Sequence, residues 1–591
     1  METATSTATA ETEGLRIVST DIQQERRDFL PNVLAEVMDH HESRREAFQG
    51  DEVFRAVQVS ELEEKVGRFR KGSSQAIAYR DMTARLMDPA AKPMQVVVSG
   101  EAGTGKSELI HALKKFTDLY IGLDRVEIMA YTAAAAFNVG GKTIHRAFNL
   151  KSTDGEPPPP TPGTVVKLKA NWANKVLVLV DEMSLISCEM LHIIDSRLRI
   201  AFNSELAFGG VHIVFFGDLF QLPPVSGTSL YTPLETEAYQ IVVRKKKTAS
   251  AVSGRRAWLG TTAFYELDIN YRQESGETEL IDMLRTGRCG QAPSMAQMEP
   301  INKKLVTMEQ AMSVTGPGAL WLTTTNKDRR GLNDAMLRQL RADGKPTIHV
   351  FAQHFRTNTR GGTVQQGVSP ILSASERSNK LRKHTGQEKG GKVAICQSLL
   401  RLAIGARVVL TMNDPEYADL GMVNGAMGTL IALEYPQGDV ISPGLSFKQV
   451  VQGGAPSLPV AIVQFDNFKS SRSCEITHPR VVPVFPISTT VDASHRFQLP
   501  LRLARARTVH SAQGITCDEM VFAPTNPDDW IFAYGLAYVA CSRVRTLAGS
   551  WLLNQRLEGR HFSANNKCVQ YIDAEYNRLR SLDCTMLGLD G

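Results

Sequence analysis

The sequence predicts an α/β protein built on parallel sheets, and three observations carry that prediction. Gly100-Glu101-Ala102-Gly103-Thr104-Gly105-Lys106-Ser107 completes a phosphate-loop pattern, set between the apolar run Gln95 to Val98 and a helical pattern opening at Glu108. Val176 to Val180 is an uninterrupted apolar run ending in Asp181-Glu182. Val211 to Phe216, apolar apart from His212, ends in Gly217-Asp218. Short continuous β-branched runs are strands buried on both faces, the mark of a parallel sheet covered by helices.

Residues 1–20 read as disordered, and Asp21 to Arg70 carries a charged helical pattern without a motif. Its Asp39-His40-His41-Glu42 is read as a solvated helix face rather than a metal site. In the phosphate loop, glycines turn backbone N–H groups toward the α- and β-phosphates, Lys106 reaches the β- and γ-phosphates, and the Ser107 hydroxyl ligates magnesium. In an open α/β sheet, ligands bind beyond the carboxyl ends of the strands, so Asp181 and Glu182 are expected to face that loop. Asp181 then holds magnesium and Glu182 polarises water; two solvated acids are the alternative. Gly217-Asp218-Leu219-Phe220-Gln221 sets an acid and an amide at a third strand end. These blocks imply a P-loop ATPase and nothing narrower.

Gly217 to Val225, with Phe208-Gly209-Gly210 before it, resembles the superfamily-one helicases of the Pif-one/RecD branch, which move 5′ to 3′ on single-stranded DNA. The resemblance covers roughly residues 70 to 580. It implies two RecA-like parallel-sheet motor domains, a small SH3-like all-β insertion and a helical N-terminal extension. It further implies ATP and Mg2+ as cofactors, with single-stranded and forked or structured DNA as partners. Gln75 resembles the family's adenine-reading glutamine, and Gly514 falls in a nucleotide-side motif. Thr132, and Thr143 with His145, are similar to two DNA-contacting segments. Asn270-Tyr271-Arg272-Gln273 resembles the motif that supplies an arginine from the second motor domain, and Arg543 resembles a second such arginine. Gln221 is expected to sense the γ-phosphate. Asn326, Thr508, His510, Ser511 and Gln513 are expected on the DNA track. Ser511 stands where the family usually has lysine, a loss of about 0.7 in the salt slope of binding. Arg502, Arg505 or Arg507 are candidates to compensate. Leu536 stands where the family often has glutamine.

The implied boundaries are an extension over 1–70, motor domain 1 over 71–245 with a wedge insertion near 150–175, motor domain 2 over 246–404 and 499–591, and the β insertion over 405–498. Within the wedge, Gly155 to Gly163 is proline-rich and stiff, a duplex splitter or a plain loop. Arg244 to Lys247 reads as an import signal, a phosphate patch or a linker, and Arg377 to Lys392 as a basic loop. Phe137 and Phe148 sit where bases could stack, but their spacing favours the core. Short strands over 407–412, 428–433, 461–465 and 481–487, broken by Gly, Pro and Asn, mark the β insertion.

The 591 residues exceed one core, and a net charge of +5 is too small to imply nucleic acid by itself. Eight cysteines without a CxxC pair argue for a reducing compartment and against structural zinc. No run approaches the roughly eighteen apolar residues of a membrane helix. The expectation is an intracellular protein, nuclear before mitochondrial, and a monomer. An ATPase-dead binding scaffold, a transposon-derived protein and an RNA helicase are the alternatives.

Overall fold

The computed structural model describes residues 52–150, 159–233, 248–273, 276–345, 347–356, 399–412, 421–435, 458–466, 468, 480–491, 494–524, 535–562 and 566–582. The readings of Asp39 to Glu42, residues 155–158, Arg244 to Lys247 and Arg377 to Lys392 lie outside them. The chain divides into two compact units, one containing residues 44–326 and 507–591, the other 327–506.

The first unit carries a six-stranded sheet of β1 (Gln95–Gly100), β2 (Val126–Ala130), β3 (Lys142–Thr143), β4 (Leu177–Asp181), β5 (His212–Gly217) and β6 (Ala263–Leu267), in the order β3-β2-β4-β5-β1-β6. All its pairings are parallel. The apolar runs divide by alternation. Val97, Val178, Val180, Ile213 and Phe215 enter one core, whereas Val96, Val98, Leu177, Leu179, Val214 and Phe216 enter another. A strand with both faces buried has no polar side to alternate, which explains its uninterrupted apolar sequence. Each such side chain contributes about 1.5–3 kcal/mol on burial.

A second parallel sheet in the same unit pairs Leu320–Thr323 with Met520–Ala523, Met520–Ala523 with Ser550–Leu553, and Ser550–Leu553 with Leu305–Val306. Its core includes Leu322, Met520, Phe522 and the helix Leu536–Cys541.

The domain boundary expected at residue 245 does not hold for the sheet. β6 pairs with β1, so the chain through Leu267 completes the first sheet. Helix Asn566–Arg580 also returns there: Ile572, Tyr576 and Leu579 join the core of Val97 and Phe215. Trp258 Nε1 donates 2.8 Å to Glu575 Oε1, and Arg255 pairs with Glu575 in the same buried cluster. An apolar strand does not encode which sheet edge it joins; that is set by the edge left open beside β1.

The unit over 327–506 is largely antiparallel β. Five strands follow the order Val481–Val484, Val460–Phe465, Met427–Glu434, Arg407–Leu410, Leu501–Leu503. Antiparallel pairing also joins Ile348–Phe351 to Leu399–Leu402, so β structure begins well before the expected residue 405. One face of these strands forms a core from Ile348 and Leu402 to Val482 and Leu501, while Val460, Ile462 and Val481 form a separate small cluster.

Tyr576 shows how the C-terminal helix holds the first sheet. Its Oη lies 2.6 Å from Ser99 Oγ, accepts from Leu219 N at 3.1 Å, and donates to Asp218 Oδ1 at 3.1 Å. Its ring stacks on Phe220, with centroids 5.0 Å apart. Tyr576→Phe keeps the stack and strips these buried groups of a partner, so unfolding should become easier by about 1–3 kcal/mol, measured by urea denaturation with unchanged slope.

Candidate nucleotide and nucleic-acid site

The phosphate loop follows β1 and leads into helix Lys106–Tyr120. Gly105 is that helix's N-cap, in a left-handed conformation at φ 79°, with no side chain closing the first turn. The free N–H groups and the helix dipole there suit an anion. Close packing also demands glycine: a Cβ at Gly103 would lie 2.4 Å from Arg272 Cβ, and one at Gly105 2.2 Å from Gln75 Nε2. Lys106 Nζ donates to the carbonyls of Gly100 and Glu101, each at 2.7 Å. Burial lowers its pKa to about 8, opposed by Asp218, Glu182 and Asp181. An arriving polyphosphate would restore its preference for the charged form. Thr104 Oγ1 donates 2.9 Å to Glu101 O, bracing the loop, and Ala102 N donates 3.3 Å to Tyr538 Oη.

Asp181 ends β4, and its Oδ1 accepts from Glu182 N at 2.9 Å. Glu182 is itself left-handed, at φ 55° and ψ 50°. Such a conformation costs a non-glycine residue about 1–3 kcal/mol and concentrates at functional sites. Burial, reinforced by Glu182, pushes Asp181 up to about 7. A buried carboxyl so short of positive charge fits a divalent cation. Magnesium is commonly held by one or two carboxylates together with substrate phosphates. Asp181 and the Ser107 hydroxyl line one pocket and would be its protein ligands.

That pocket, of about 270 Å³, also brings together Lys106, Glu182, Gln221, Arg272, Gly514 and Arg543. Gly100, Glu101, Thr104 and Gln75 lie outside its lining. Gln75 is buried, donating from Nε2 to Thr104 O at 2.6 Å and accepting from Tyr271 Oη at 2.9 Å, so it braces the loop. Arg272 departs from expectation in origin. It follows β6, and Tyr271 N donates 2.8 Å to Gly103 O, so it reaches the pocket from the first sheet. Arg543 comes from the segment after helix Leu536–Cys541, packed in the second sheet's core. Its Nε donates 2.8 Å to Val539 O and its Nη2 2.8 Å to Ser542 Oγ. Arg272 Nη1 donates 3.0 Å to Ser542 O. Burial, and then the neighbouring Arg543, lowers Arg272 to about 9, so the pair is poised for an added anion.

Tyr271, Asn138, Thr516 and Arg545 also line the pocket, and the sequence reading assigned them no role. Nor did it pair Asp218 with Arg288, which bind through two hydrogen bonds of 2.9 and 3.0 Å. The only available signal for them was proximity to a motif.

The expected DNA-side residues separate into two groups. Thr132 and Thr143 cap the short helices Ala133–Asn138 and Ile144–Ala147, accepting from Ala135 N and Arg146 N. Asn326 is exposed at the start of helix Asn326–Ala342. Thr508 and Ser511 bond each other across a 3-10 turn that also carries His510. Burial lowers the pKa of His145 and of His510, so both are neutral at pH 7 and add no positive charge. Phe148 is core, stacked on Trp172 at 4.9 Å. Gln513 is not on an open track: it is 3% exposed and donates 2.8 Å to Glu182 Oε2. The 3-10 turn that presents Ser511 directs the amide inward.

Residues 72–281 match the PIF1-like helicase family. The chain is 27% identical over 469 residues to the ATP-dependent DNA helicase PIF6 of Trypanosoma brucei brucei, covering 76% of this chain and 50% of that protein. It is 24% identical over 482 residues to human ATP-dependent DNA helicase PIF1, covering 80% of this chain and 60% of that protein. It thus spans only half to three fifths of these relatives' length. A crystal structure of a Bacteroides Pif1 helicase in complex with ADP-AlF3 and ssDNA shares the fold, with TM-score 0.56 and 20% identity over 85% of this chain and 97% of that one. Phosphate loop, strand-end acids and two parallel sheets thus agree with the match of residues 72–281 to the PIF1-like helicase family, to which this part of the chain is similar.

Proposed function

We propose that the chain is an ATP-dependent DNA helicase that moves 5′ to 3′ on single-stranded DNA and separates forked or structured duplexes. The observation that carries this reading is that Lys106 and Glu182, from the first sheet, line one pocket with Arg543, from the second sheet's core. Phosphoryl transfer asks mainly for positioning and charge neutralisation, and an added arginine is worth about 10³–10⁵ in rate. Arg543 is the group whose approach depends on how the two sheets meet, because Arg272 rides with the first sheet. Glu182 orients the attacking water, Lys106 and Arg272 neutralise the β- and γ-phosphates, and Gln221 registers loss of the γ-phosphate. Magnesium, held by Asp181 and Ser107, would supply further neutralisation. Changes in the contact of Arg543 with nucleotide are then transmitted through the 508–516 segment to bound DNA.

Work is needed because duplex stacking is worth about 1.4 kcal/mol per step. The names of the relatives support DNA as the substrate, and replication, repair, recombination or telomere maintenance in the nucleus is the setting we assign. Among the described residues, no helix is long and apolar enough to cross a membrane. The test is ATP-dependent strand separation of matched duplexes bearing a 5′ or a 3′ single-stranded tail. Opening of the 5′-tailed substrate alone is expected; opening of only the 3′-tailed one would refute the polarity.

A further inference from the structure

We infer that Gln513 is the positioning residue for Glu182, and that through it the 508–516 segment governs activation of the attacking water. This inference rests on the helicase reading above. Gln513 Nε2 donates one hydrogen to Glu182 Oε2 at 2.8 Å and the other to Ser184 Oγ at 3.2 Å. The amide orientation is fixed by chemistry, since turning it over would set its oxygen against the carboxylate. Gln513 Oε1 has no hydrogen-bond partner among the described residues, so the contacts the side chain makes there are its donors'.

The neighbouring backbone is built around the same contact. A Cβ on Gly514 would come within 3.2 Å of Glu182 Oε1, and Gly514 takes φ 82°, which only glycine adopts freely. Asn138 Nδ2 donates to Gly514 O at 3.4 Å. Val509 and Ala512 are buried in one core with Leu185, the last residue of the turn that follows Glu182. The segment is therefore anchored on the catalytic side, while Thr508 and Ser511 stay partly accessible. A single 3-10 turn, Val509–Ala512, carries His510 and Ser511 and is flanked by Thr508 on one side and by the amide on Glu182 on the other. A shift of that turn by DNA would move the carboxylate, which already sits in a strained backbone conformation.

The experiment measures kcat and KM for ATP hydrolysis at saturating oligo-dT, together with oligo-dT affinity by fluorescence anisotropy. The proteins are the parental chain, Gln513→Ala, Gln513→Glu and Lys106→Ala. We expect Gln513→Ala to lose about 10- to 100-fold in kcat, the scale of loss when an outer-shell hydrogen bond that orients a metal ligand is removed, with KM for ATP and affinity for oligo-dT within about twofold. Gln513→Glu keeps the side-chain volume and opposes two carboxylates, so its kcat should fall at least as far. This variant answers the question even where the cavity left by alanine unfolds the loop. Loss of oligo-dT affinity with kcat intact would make Gln513 a DNA contact and overturn the inference. Parental kcat in both Gln513 variants, with Lys106→Ala inactive, would overturn it while leaving the nucleotide site standing. Parental turnover by Lys106→Ala would instead remove the underlying reading and this inference together.

Discussion

Lys106→Ala should abolish ATP turnover and strand separation while leaving the fold intact. The ammonium lies in the pocket of Asp181 and Glu182, and among the described residues its hydrogen bonds go to the carbonyls of Gly100 and Glu101. Those carbonyls are loop groups that water can satisfy after truncation, so the stability cost is small. The catalytic cost is large, because the charge that would meet the developing γ-phosphate oxygens is gone. Removing one preorganised donor of this kind costs about 10²–10³ in kcat, and a full positive charge at the transferred group costs at least as much. Steady-state phosphate release with and without oligo-dT checks the prediction; turnover at the parental rate would refute the phosphate-loop assignment.

Arg288→Ala should be the most destabilising single change at the site. Asp218 is fully buried, and Arg288 meets both its oxygens. The guanidinium also lies 5.0 Å from the Phe220 ring centre. Removing one partner of a buried pair strands the other charge and costs about 3–5 kcal/mol. The pH dependence carries a definite sign. Burial opposes ionisation of Asp218, yet the charge and hydrogen bonds of Arg288, with Lys106, hold its carboxyl below the ordinary 3.8. A depressed carboxylate contributes stability above its unfolded pKa and loses it as pH falls through the folded value. Without Arg288 the burial effect dominates, the carboxyl rises, and a proton relieves the buried charge. The stability gap between parental and variant proteins should therefore narrow as pH drops from neutrality to about 4. Urea unfolding across that range measures it, and a gap independent of pH would show that Arg288 acts through packing alone.

The two sheets were legible in different degrees. Val96 to Val98, Leu177 to Val180 and Ile213 to Phe216 announce strands because a doubly buried strand has no reason to include polar residues. The phosphate loop was legible because its glycines answer to local backbone geometry, although the close approach of Gln75 and Arg272 that also demands them comes from distant parts of the chain. β6 was legible as a strand but not as a member of the first sheet. Arg272 therefore reaches the pocket from the first sheet, not from the second motor domain that the resemblance implies. The antiparallel unit was placed by its short strands, but Ile348–Phe351 finds its partner Leu399–Leu402 across a long stretch of chain, which no local pattern records.

The sequence by itself determined the chemistry at hand: a phosphate loop, acids at strand ends, arginines to answer a polyphosphate, and strands of the right kind to carry them. Tertiary structure decided who meets whom. Gln513 and Glu182 are 331 residues apart, and Tyr576 and Asp218 are 358 apart. Short-range sequence fixes dihedral preference and burial periodicity, because those depend on neighbours along the chain. A hydrogen bond between distant residues depends on where whole sheets and helices pack, and one surface amide reads like another until that packing buries it against a carboxylate.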